Sequence, residues 1–76
     1  MSLVAPLPAL RGRVLAFDDH RGRGEVEDSE GRTAPFHCTA VADGTRTIAI
    51  GTEITFRLVT GPVGVQEAAD LRPVTP

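Results

Sequence analysis

The sequence predicts a small all-β domain whose five short strands close, or nearly close, into a barrel. Residues 12–26, GRVLAFDDHRGRGEV, run apolar, break at Asp18-Asp19-His20, and resume with glycines alternating with charges. That is the pattern of two antiparallel strands joined by a polar turn. Residues 53–58 alternate strictly, with Ile54, Phe56 and Leu58 on one face. Turn-forming groups, Asp28-Ser29-Glu30-Gly31 and Gly61-Pro62-Val63-Gly64, punctuate the remainder. Closure follows because it removes the exposed edges that so short a sheet would otherwise present.

In chain order, residues 1–9 hold Pro6 and Pro8 and no period of two or 3.6, which predicts an extended or frayed lead-in to a domain over residues 10–73. The first strand spans Leu10 to Phe17. The second runs from Arg23 to Glu27, with Gly24 and Val26 inward and Arg23, Glu25 and Glu27 outward. The third runs from Arg32 to His37, with Ala34 and Phe36 on one face; Pro35 within it argues for an edge or bulged position. Residues 38–51 have no sustained period. They predict a turn of helix near Thr39 to Ala42, then a surface loop that packs Ile48 or Ile50 downward. The fourth strand covers Glu53 to Leu58, the fifth Val65 to Leu71, and Pro73 closes the domain.

A chain of 76 residues makes one domain. It buries only about 60% of its unfolded surface, leaving little room for a deep substrate cavity beside a core. That argues against an enzyme, a cofactor and a small-molecule substrate. The net charge of -2 gives no whole-molecule attraction to polyanions, so nucleic-acid binding requires a local basic face. All 8 basic residues are arginines, read either as codon bias in a GC-rich genome or as use of guanidinium chemistry. The single Cys38 excludes an intramolecular disulfide and suits a reducing cytoplasm. No apolar run approaches the ~20 residues of a membrane span, and no signal peptide is visible.

The first hairpin also resembles the opening of a cold-shock domain, G-x-V-K-W-F-N-x-x-K-G-F-G-F-I, through Gly12, Val14, Phe17, Arg21, Gly22, Gly24 and Val26. Leu15, Ala16, Arg23 and Glu25 stand where that family places Lys, Trp, Phe and Phe. Phe36-His37-Cys38-Thr39-Ala40-Val41 resembles its V-H-F-S-A-I, Gly51 to Phe56 its G-Q-x-V-x-F, and Glu67 to Leu71 its Q-A-A-N-V ending. The resemblance implies a five-stranded Greek-key barrel of the OB type that binds single-stranded RNA or DNA without catalysis. Such domains stack bases on aromatic rings, each stack being worth roughly 1–3 kcal/mol. The platform positions here are Ala16, Arg23, Glu25, Pro35, His37 and Cys38, and only His37 keeps a ring. The expectation is therefore weak binding of low specificity.

Five residues are candidates for that interface. Phe17 is either core or rim packing or a partly exposed stacking ring. His37 is either a surface histidine paired with Glu25 or a neighbouring carboxylate, or a stacking ring and hydrogen-bond donor. Arg23 is balanced by Glu25 or Glu27, or its guanidinium replaces a lost phenylalanine on a base. Arg21 and Arg13 suit phosphate contacts or plain solubility. Asp18, Asp19 and the nearby glutamates bring the field over this face close to neutral. Two catalytic readings fail on geometry and spacing. His37 and Cys38, as strand neighbours, should point to opposite faces, and Asp18-Asp19-His20 lacks further metal ligands at a recognisable spacing. The competing functional class is a barrel that has lost nucleic acid and serves as a protein-interaction or homodimerisation module.

Overall fold

The computed structural model describes residues 9–61 and 63–74. The expected lead-in, apart from Ala9, and Pro62 of the expected 61–64 turn lie outside the described residues. The elements are β1 (Leu10–Asp18), β2 (Arg23–Asp28), β3 (Thr33–His37), a 3-10 turn (Cys38–Ala40), β4 (Glu53–Thr60) and β5 (Gln66–Pro73). All five strands pair antiparallel in one sheet, in the order β3-β2-β1-β4-β5. β3, which carries Pro35, is an edge strand, as the proline requires. β5 is the other edge. Among the described residues no hydrogen-bonded ladder joins the two edges, although β3 and β5 approach within 8 Å.

The inner face is built from Val14, Val26, Ala34, Phe36, Val41, Ile54, Phe56, Ala68 and Leu71, all buried. Counting the half-buried Phe17, two pairs of inward residues sit three apart, which a strict period of two cannot place on one face. Val14 and Phe17 share a face because the register slips between Val14 and Ala16, where Leu15 is the extra residue. Ala68 and Leu71 share a face because β5 slips opposite Phe56, where Asp70 adopts a φ of 54°. Aspartate tolerates that left-handed conformation better than most residues. Asp70 also takes Arg72 at 3.1 Å and Arg57 at 3.7 Å.

The turns are closed by aspartates. Asp18 Oδ1 accepts from the His20 and Arg21 amides at 3.0 and 3.2 Å, which absorbs the Asp18-Asp19-His20 cluster into the β1–β2 turn. Asp28 Oδ1 accepts from the Glu30 and Arg32 amides at 2.8 and 2.9 Å, and Oδ2 from Arg32 Nε at 2.9 Å. These donors, the Arg32 amide foremost, outweigh the opposing desolvation and hold the Asp28 carboxyl below its ordinary value of 3.8.

Two expectations are corrected in detail and one alternative is decided. The helical turn begins at Cys38 rather than Thr39. Of the two loop isoleucines, Ile48 packs against the core and Ile50 is exposed. Leu58 keeps the alternation but is 39% exposed, because β4 runs to Thr60, past the end of the core.

Candidate nucleic-acid interface

The ladders set three rows of side chains on the outer face of β1–β3. Arg13, Glu27 and Thr33 form one row, Ala16, Glu25 and Pro35 the next, and Asp18, Arg23 and His37 the third. The bulge at Leu15 is what turns Ala16 outward and Phe17 inward. The outer platform is thus assembled by the same register that builds the core.

Phe17 packs against Phe36. Its ring stacks on Phe36 at a centroid distance of 5.8 Å and 5° between planes, across the intervening Gly24. A Cβ on Gly24 would lie 2.4 Å from the Ala16 carbonyl oxygen and 2.6 Å from Phe36 Cζ, so the aromatic pair needs glycine beneath it. Phe17 is half-buried and packs against the core.

Arg13 is engaged by Glu27, with Nη2 3.1 Å and Nε 3.2 Å from Oε1. Arg21, in the turn, is 3.8 Å from Asp18 Oδ2. Arg23 stands directly opposite His37, both are exposed, and Arg23 forms no ion pair among the described residues. The pairing expected of His37 with Glu25 is absent, since Glu25 lies opposite Pro35. His37 instead caps the 3-10 turn. Its Nδ1 accepts from the Thr39 amide at 3.3 Å and lies 2.9 Å from Thr39 Oγ1. The ring is therefore oriented before any ligand arrives.

The expectation that His37 and Cys38 diverge is also corrected. The chain leaves the strand at His37, and the turn brings Cys38 Sγ to 3.8 Å from Nδ1. That nitrogen already serves as the turn's cap, and the thiol rests against Gly22. Among the described residues no group of three or more His, Cys, Asp or Glu is placed to hold a metal ion.

Arg21, Arg23, Pro35, Phe36 and His37 border a concavity of about 340 Å³, to which β5 contributes Glu67. Sequence reasoning missed Glu67. Its place depends on β5 lying beside β3, a relation that no local period encodes. The charges that belong to or adjoin the platform are Arg13, Arg21 and Arg23 against Asp18, Asp19, Glu25, Glu27 and Glu67, so no positive excess remains.

The chain matches no family model and no curated protein.

Proposed function

We propose that this chain is a cold-shock-like OB barrel that binds single-stranded RNA or DNA weakly and with low specificity through the outer face of β1–β3. The observation that carries this reading is the Arg23–His37 pair. A guanidinium without an ion-pair partner among the described residues and a pre-oriented imidazole face solvent on adjacent strands, where a base can stack on both planes. The barrel itself is supported by the approach of β3 to β5, by the parallel bridge from Val41 to Leu71, and by bulges in β1 and β5, devices that curl a sheet toward closure. Cancelled charge and a single remaining platform ring set the affinity low. The free thiol of Cys38 suits the cytoplasm.

One observation favours a second reading, a protein-interaction or dimerisation module. Val63 is 83% exposed and Val65 53% exposed beside the β4–β5 turn, with Val59 partly exposed at the end of β4. Titrating isotope-labelled protein with single-stranded oligonucleotides and following amide shifts separates the two. The nucleic-acid reading expects shifts at Arg21, Arg23, Glu25 and Thr39. Shifts confined to 59–65, or line broadening there that grows with protein concentration and ignores oligonucleotide, would replace it with the second.

A further inference from the structure

Resting on that reading, we infer that the concavity between Arg23, His37 and Glu67 selects guanine at one position of the bound strand. Its volume of about 340 Å³ lies at the low end of the roughly 300–1,000 Å³ typical of ligand clefts, which is room for one nucleotide. Its lining joins two cations, Arg21 and Arg23, to the Pro35 and His37 rings of the neighbouring strand. The one acidic residue of the lining is Glu67. Glu67 forms no ion pair with Arg21 or Arg23 among the described residues, so it is not spent in neutralising them.

The carboxylate is also positioned. A Cβ built on Gly61 would fall 2.1 Å from Glu67 Oε2, so the side chain lies directly over that glycine. A carboxylate beside a polyanion is unfavourable unless the ligand offers it N–H groups. Among the bases, guanine alone presents two adjacent donors, N1–H and the exocyclic N2–H, which match both oxygens of a carboxylate. Adenine and cytosine each offer a single exocyclic amine, and thymine or uracil a single ring N–H. A charged, two-point hydrogen bond is the strongest discrimination available to a single side chain, and a site built for it rejects bases that leave it unpaired. The geometry thus gives Glu67 the role of reading the Watson–Crick edge while Arg23 and His37 hold the base plane.

The test uses thymine octamers carrying one central G, A, C or hypoxanthine, competed against a labelled thymine octamer. The expected result is G favoured over A and C by about tenfold, with hypoxanthine, which lacks the exocyclic amine, between them. Glu67→Gln should bring G to within twofold of A and tighten the thymine octamer two- to threefold by removing a negative charge. Gly61→Ala, which pushes the carboxylate aside, should lower the preference independently. Equal binding of all four central bases, or a G preference that survives Glu67→Gln, overturns the assignment while leaving the interface in place. Displacement by guanosine monophosphate as effective as by the G octamer moves the site from strands to free nucleotides and overturns it too. Absence of binding by every oligonucleotide sinks both the assignment and the interface on which it rests.

Discussion

Single side chains decide both what this fold tolerates and what its face can hold. Gly24 lies under the Phe17–Phe36 stack, with backbone on one side and ring on the other. Gly24→Ala should therefore destabilise the protein by about 3 kcal/mol, the upper range for overpacking, because neither neighbour is free to retreat. A shift of the urea midpoint at constant slope reads this directly. Asp28 contributes to the acid limit. Its carboxyl is held below 3.8, so the stabilisation it gives is complete above that value and is lost as pH falls through the lower folded value. Asp43, lowered by the Thr45 amide and hydroxyl, acts with the same sign. The denaturation midpoint should fall steeply below about pH 4, and Asp28→Asn should flatten that fall while lowering stability at neutral pH. An unchanged acid limb in the variant would place the linkage elsewhere.

At the scale of elements, the two bulges explain what the sequence disclosed and what it withheld. The fourth strand was legible because Ile54, Thr55, Phe56 and Arg57 alternate without interruption. The second and third were legible for the same reason, with Gly24, Val26, Ala34 and Phe36 inward. Strand one and strand five break the period, since Val14 and Phe17, like Ala68 and Leu71, are three apart and still face one core. A sliding period of two therefore leaves Phe17 open between core and platform, and the bulge decides it. At the second bulge, Asp70 is the residue under conformational strain. Asp70→Ala should cost about 1 kcal/mol, the left-handed penalty for an ordinary residue, and Asp70→Gly should cost less despite losing the same contacts to Arg57 and Arg72. Thermal unfolding of the two variants ranks them. Alanine as stable as glycine would show that the bulge carries no strain.

The whole molecule presents a balanced surface in which nearly every arginine is answered. Arg11, Arg13, Arg21, Arg32, Arg57 and Arg72 each lie within 4 Å of a carboxylate, and these exposed pairs contribute little to stability. Their consequence is functional: they remove positive charge from the surface. Arg23, and Arg46 in the long loop, are left without such a partner among the described residues. The candidate interface was legible in the sequence as far as its strands reach, because Arg23 and His37 sit at matching places in two alternating runs. Glu67 was not legible, because the approach of β5 to β3 is a property of the assembled sheet.

The central claim, a working nucleic-acid face around Arg23 and His37, is tested most directly by fluorescence anisotropy of labelled single-stranded RNA and DNA at two salt concentrations. With Arg23 the platform cation left without an ion-pair partner among the described residues, about one phosphate is neutralised, and raising salt from about 50 to 200 mM should weaken binding about two- to threefold. Arg23→Glu should abolish the remaining affinity and the salt dependence together, and His37→Ala should lower affinity about tenfold, the loss of one stacked base. Anisotropy that stays flat up to high micromolar protein in low salt, or binding unmoved by either substitution, would contradict the account.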